Sequence, residues 1–195
     1  MADLYAASDL VFLRRTGFHD DYLRGQRWDV ADGTGAPLAA VVETGLTVAG
    51  RLGRLLSSRF PRDVDRRLSV RDAAGQALYT IVRIPPTLHR DDVQIRTADG
   101  ELSGTVSRMK LADGGRLGYG LFDRHDARLA TVRRTRPGRA THEIVDRTGN
   151  RLATFDNRVP DANGYRLRLA RQAPTPLFRL LFTAPIVEYF FHSAP

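Results

Sequence analysis

Cysteine is absent from the 195-residue chain. That excludes disulfide staples, thiolate metal sites and thiol nucleophiles, and it fits a reducing compartment. Lysine is nearly absent as well: Lys110 is the sole lysine among 30 cations, and the rest are arginine. No run of 18 apolar residues occurs, so no helical bilayer span is expected. Residues 1–8 carry no basic stretch followed by an apolar run, so no export signal is expected and the location reads as cytoplasmic.

Catalytic patterns are equally scarce. The five histidines (His19, His89, His125, His142 and His192) are scattered, without HxxxH or HExxH spacing, and no GxSxG occurs. Asp20–Asp21 and Asp91–Asp92 are adjacent pairs, and neighbours on a strand point to opposite faces, so neither forms a dyad. The glycine-rich run from Gly114 to Gly120 lacks the Lys and following helix of a P-loop and reads as a turn into a strand. No enzyme activity, metal or cofactor is expected.

The chain is rich in positive charge and in repetition. Thirty cations against 22 acids give a formal +8, while 42% hydrophobic content suits an ordinary globular chain and a single domain over residues 1–195. Arginine excess has two readings, genomic bias and a basic face for phosphates, since guanidinium makes bidentate contacts to phosphate oxygens.

Four segments share the pattern Asp-x-x-(Gly or Asp)-x-x-Leu: Asp32–Gly35–Leu38, Asp72–Gly75–Leu78, Asp123–Asp126–Leu129 and Asp146–Gly149–Leu152. A fifth, Thr97–Gly100–Leu102, reads as one residue shorter. Apolar residues alternate before each turn (Trp28/Val30, Leu68/Val70, Val93/Ile95) and after it (Leu38/Ala40/Val42, Leu78/Thr80/Val82). Period two marks strands with one buried face. The turn Asp accepts from backbone N–H groups two residues on, and the Gly takes a positive φ that Asp126 must also adopt. Calcium loops are a poor alternative, because each turn offers one or two carboxylates where calcium takes about six to eight oxygens.

Asp9–Arg14 and Asp20–Leu23 suggest a first hairpin around Gly17, and Tyr165–Leu169 a last strand partnered by Thr154–Val159. That makes about 11 or 12 antiparallel strands, whose edges stay exposed unless the sheet closes or folds into two layers. Between Leu177 and Phe191, 11 of 15 residues are apolar, and the polar Arg179, Thr183 and Glu188 do not share a face. As a helix this run reaches about 22 Å, short of a hydrocarbon core of about 30 Å. Pro185 and Glu188 also argue against lipid, so the segment over 174–192 is expected to be buried in protein.

Repeated hairpins of this form ending in an apolar segment resemble the tubby C-terminal-like superfamily, in particular its LURP-one-related and phospholipid-scramblase-like branch. The resemblance covers about residues 9–192. It implies an all-β fold, a closed antiparallel barrel of about 12 strands around a central hydrophobic helix. It also implies association with phospholipid or phosphoinositide, although members differ in activity. The chain departs from eukaryotic scramblases: it has no cysteine cluster, Pro-rich tail or acidic calcium loop.

Two arginine groups are the candidate anion or lipid sites. The basic insertion 44–65 places Val48, Leu52, Leu55 and Leu56 at helical spacing, with Arg51 and Arg54 on another side and Arg59 and Arg62 following. A short basic amphipathic helix can lie on an anionic membrane surface, or it can pack its leucines on the barrel wall. The second group is the connection Arg133–Arg139, with Arg133, Arg134, Arg136 and Arg139. Nucleic acid is the weaker partner, because no aromatic interleaves those cations for base stacking. The expected function is a non-enzymatic barrel peripheral to an anionic phospholipid surface; the alternative is a structural or protein-interaction scaffold with no lipid ligand.

Overall fold

A computed structural model describes residues 3–15, 25–45, 66–84, 91–110, 117–135, 141–156 and 164–192. Twelve strands follow in chain order: β1 (Asp9–Arg15), β2 (Arg27–Asp32), β3 (Pro37–Thr44), β4 (Arg66–Asp72), β5 (Ala77–Arg83) and β6 (Asp92–Thr97). Then come β7 (Leu102–Lys110), β8 (Leu117–Asp123), β9 (Arg128–Arg134), β10 (Thr141–Asp146), β11 (Arg151–Asp156), β12 (Gly164–Leu169) and one helix, α1 (Thr175–His192). Each strand pairs antiparallel with the next, and β12 pairs β1, so the sheet closes into a barrel around α1. Closure leaves no free edge for another chain to join.

The alternation fills the lumen. Phe12, Trp28, Leu68, Val70, Tyr79, Ile81, Val93, Ile95, Leu121, Val132, Ile144, Phe155 and Leu167 are fully buried. The helix is apolar on nearly every side because it meets wall all round: from Phe178 to Glu188 every residue but the half-buried Arg179 is buried. Phe182 lies 4.8 Å from the Phe12 ring and 6.0 Å from Tyr79, and Tyr5 packs edge-on against Phe178. Strand β7 approaches the helix closely at Gly104, where an added Cβ would meet Phe122 O at 2.5 Å and Leu180 at 3.1 Å. Pro185 sits inside the helix, where it has no N–H to offer the Leu181 carbonyl. Two residues earlier the Thr183 hydroxyl donates to the Arg179 carbonyl at 2.7 Å.

All five repeat turns share one geometry. In the first, Gly35 N–H donates to Asp32 O, Asp32 N–H to Ala36 O, and Asp32 Oδ1 accepts from the N–H of Thr34 and Ala36. Asp123 and Asp146 repeat these side-chain bonds. Asp72 repeats the one to the fourth residue, and Thr97 Oγ1 supplies it in the fifth turn. Gly35, Gly75, Gly100 and Gly149 hold φ of 84–92°, and Asp126 holds 61°.

Register also corrects the fifth turn, which is not shorter. Val30 faces Ala39 and Ala31 faces Pro37, so Leu38 is a bulge; in the same register Ile95 faces Gly104 and Arg96 faces Leu102, leaving Ser103 as the bulge. The repeat's final Leu is therefore the extra residue of a bulge, which Leu38 and Leu152 bury in the core. Ser103 holds that place in the fifth turn and accepts a bond from Arg179 of α1 at 3.4 Å.

The first hairpin differs from expectation too. β1 pairs β2 on one side and β12 on the other, so both its edges are taken; Asp20–Leu23 lies outside the described residues. The last strand pairs the described part of its expected partner, Thr154–Asp156.

Candidate functional site

Antiparallel order puts every repeat turn at one end of the barrel and the strand ends leading into the other connections at the opposite end, the mouth. The helix starts at the tight-turn end and points its C-terminus, with Glu188 and Tyr189, at the mouth. Charge divides the same way. From mid-strand to the tight turns, ten arginines face nine carboxylates and nearly cancel. Almost all of the formal +8 therefore belongs to the mouth and to the connections that leave it.

Strand parity aims part of that charge inward. Arg14, Arg66, Arg83, Arg108 and Arg134 occupy the inward positions following the core residues Phe12, Leu68, Ile81, Val106 and Val132 toward the mouth. Arg66 and Arg83 are buried. Arg14 stacks over the Tyr189 ring at 4.4 Å, and Arg83 pairs Asp91 at 3.4 Å. Burial raises the Asp91 carboxyl above its ordinary range, outweighing Arg83; Arg108 is close enough to act electrostatically on both Asp91 and Tyr119. Cations near a helix C-terminus also complement its dipole.

The most connected group is Glu188, 4% exposed. Tyr119 Oη donates to its Oε2 at 2.6 Å. Arg134 Nη2 donates to its Oε1 at 3.2 Å, and His142 Nε2 lies 3.2 Å from that same oxygen. Burial and then the Glu188 charge push the Tyr119 hydroxyl well above its usual pKa, so it stays a neutral donor. The His142 ring is stacked 4.5 Å from Phe155 at 9°, which fixes its orientation. Its Nε2 also lies 3.3 Å from Arg134 Nε. One nitrogen cannot both accept from Arg134 and donate to Glu188, so the ring serves one neighbour at a time. Its Nδ1 is buried with no hydrogen-bond partner among the described residues.

The candidate arginines separate. Arg133 and Arg134 belong to β9, not to a connection, and neighbours on a strand face opposite ways. Arg133 points outward, 3.6 Å from Glu143, while Arg134 points into the mouth. Arg51, Arg54, Arg59, Arg62, Arg136 and Arg139 lie outside the described residues. Asp91 and Asp92 split as expected, Asp91 toward Arg83 and Asp92 toward the Ser107 hydroxyl.

The Tyr119–Arg134–His142–Glu188 group was invisible to motif reading, since 69 positions separate its first and last members. Its signals were present singly: an acid inside an apolar helix, and a histidine two residues before Ile144 on a strand's buried face.

Outside the wall, a groove of about 730 Å³ runs over β2 and β3. Its lining includes the small side chains Ala31 and Ala40, and Leu13 and Arg71 stand on either side. Asp29 there is bonded by both Arg15 and Arg27, which together outweigh its burial and lower its pKa. Among the described residues no helix is long and apolar enough to cross a membrane, and no three metal-ligating side chains cluster. Comparison of the chain with protein families, curated proteins and solved structures returned no match.

Proposed function

We propose that the barrel is a non-enzymatic module that docks its mouth on anionic, phosphate-bearing surfaces, in the manner suggested by its resemblance to LURP-one-related and scramblase-like proteins. One observation carries this reading: the two halves of the chain differ in charge, the tight-turn half being balanced and the surplus belonging to the mouth together with the connections that leave it. A positive end of this kind is drawn to anionic lipid over roughly a Debye length, about 8–10 Å at physiological salt. Arg51, Arg54, Arg59, Arg62, Arg136 and Arg139 belong to connections that leave this end and make up part of that surplus.

Vesicle co-sedimentation tests the reading. The full chain is expected to bind phosphatidylcholine vesicles doped with cardiolipin or a phosphoinositide, to ignore phosphatidylcholine alone, and to come off as salt rises. Changing Arg51, Arg54, Arg136 and Arg139 to Gln is expected to weaken binding at least tenfold, whereas the wall change Arg151→Gln leaves it intact. A folded sample that fails to sediment with either doped vesicle at low salt overturns the proposal. The scaffold reading rests on a different observation, the groove beside exposed Leu13, and predicts that all four Gln changes leave partner binding untouched.

A further inference from the structure

Three side chains converge on Glu188 from three different elements: the Tyr119 hydroxyl from β8 and the Arg134 guanidinium from β9 donate to it, and the His142 Nε2 from β10 lies 3.2 Å from it. A phenol, a guanidinium and an imidazole around one oxyanion are the groups that bind a phosphate, and here a carboxylate of the chain itself occupies their centre. Two features mark this as more than a buried ion pair. The Arg134 side chain is half exposed while Glu188 and His142 are about 5% exposed, so the guanidinium bridges solvent and the interior. His142, nine-tenths buried, keeps one ring nitrogen without a partner among the described residues, and its other nitrogen faces both Arg134 and Glu188. Tyr119 thus engages Oε2 while Arg134 and His142 crowd on Oε1, so both oxygens of the one carboxylate are occupied.

We infer that the mouth contains an oxyanion cradle formed by Tyr119, Arg134 and His142, and that Glu188 is its internal occupant, which a phosphate group displaces from Arg134 and His142. The inference rests on the reading of the mouth as the anion-binding end, and it narrows the ligand to a phosphate monoester or diester presented singly, whether free or on a lipid headgroup. Glu188 keeps its bond to Tyr119 through Oε2 while Oε1 gives up its two partners. Arg108, which acts on Tyr119 electrostatically, adds to the field that receives the incoming charge. No covalent bond is made or broken in this exchange.

The test measures binding of inorganic phosphate to the full chain by calorimetry, together with the His142 imidazole resonances by NMR. Wild type is expected to bind weakly and to shift the His142 resonances. Glu188→Gln keeps the hydrogen-bonding shape and removes the competing charge, so phosphate affinity is expected to rise at least tenfold. Arg134→Ala is expected to abolish the His142 response, and the wall control Arg168→Gln to leave it unchanged. Equal phosphate affinity in wild type and Glu188→Gln overturns the inference, and so does a phosphate response that bypasses His142. If Glu188→Gln fails to fold, the wild-type and Arg134→Ala titrations decide alone. Competition by inorganic phosphate against phosphoinositide vesicles separates the two sources: displacement places the headgroup in the cradle. Vesicle binding that survives saturating phosphate confines the cradle to free phosphate. Failure of vesicle binding with the phosphate response intact removes the membrane reading and leaves the cradle standing.

Discussion

At the tight-turn end, each loop satisfies itself: an Asp or Thr side chain accepts from backbone a few residues on, and a left-handed residue completes the turn. At the mouth, polar side chains find partners far away in the chain: Glu43 accepts from the Gln26 backbone N–H, the Gln26 side chain meets Tyr189, and Tyr119 donates to Glu188. Local satisfaction gives a repeated, charge-balanced end that closes the barrel. Distant satisfaction gives an end whose chemistry depends on the finished fold. The comparison teaches where function can vary in such a barrel: the turns are bound by backbone geometry, while the mouth is free to carry charge.

The helix spans both regions, and substitutions along it measure the difference. Phe182→Ala removes a fully buried ring packed against Phe12, Tyr79 and Phe178, and is expected to cost about 3–5 kcal/mol. Tyr189 at the mouth is only partly buried, between Trp28 and Arg14, and its change to Ala is expected to cost about 1–2 kcal/mol. Urea unfolding of the two variants checks this. Equal losses would mean that the mouth is packed as tightly as the lumen.

Much of the wall could be read from residues alone. The Asp and Gly of each repeat, the alternation around them and the apolar C-terminal run all express local rules, so hairpins, turn conformations and a buried plug follow. The bulge could not be read: Leu102 mimics a shortened repeat because the pattern does not reveal which residue is extra, and only register shows that Ser103 is. The pairing of β1 was missed for a related reason, since alternation marks a strand but not its neighbour. For the site, the arginine groups were visible as composition, yet parity splits Arg133 from Arg134. Glu188 meets His142 only after closure brings β8, β9 and β10 over the end of α1.

Titration separates the two ends next. Bonds from the Thr34 hydroxyl, the Ala127 N–H and the Thr148 hydroxyl hold the Asp32, Asp123 and Asp146 carboxyls below the ordinary range. Each therefore contributes stability that is present above the unfolded carboxyl pKa, about 3.9, and lost as pH falls through the lower folded value. The Tyr119 hydroxyl at the mouth is raised, so its contribution is complete below the unfolded value of about 10 and declines above it. Changing the three turn aspartates to Asn keeps the side-chain acceptor and is expected to flatten the acid limb of a stability–pH curve alone. Tyr119→Phe is expected to flatten the alkaline limb alone. Circular dichroism melts at pH 3, 7 and 10.5 check this, and a variant that changes both limbs would show the ends to be coupled.

The smallest expected effect lies within the tight turns themselves. Asp126 stands at φ 61°, where the other four turns have glycine at 84–92°. A Cβ built on Gly149 meets nothing within 4 Å, so crowding does not explain the choice and the backbone alone decides. An L side chain held left-handed costs about 1 kcal/mol, less for Asp than for most residues because its carboxylate can bond locally. Asp126→Gly removes that strain but loosens the unfolded chain by about 0.5 kcal/mol, so a net gain of about 0.5 kcal/mol is expected. The reciprocal Gly149→Asp acts on both counts in the opposite direction and is expected to lose a similar amount. Urea midpoints of the pair measure it. Opposite shifts would confirm that one backbone geometry governs every turn, whereas a loss from Asp126→Gly would mean that the Asp126 carboxylate contributes more than its backbone strain removes.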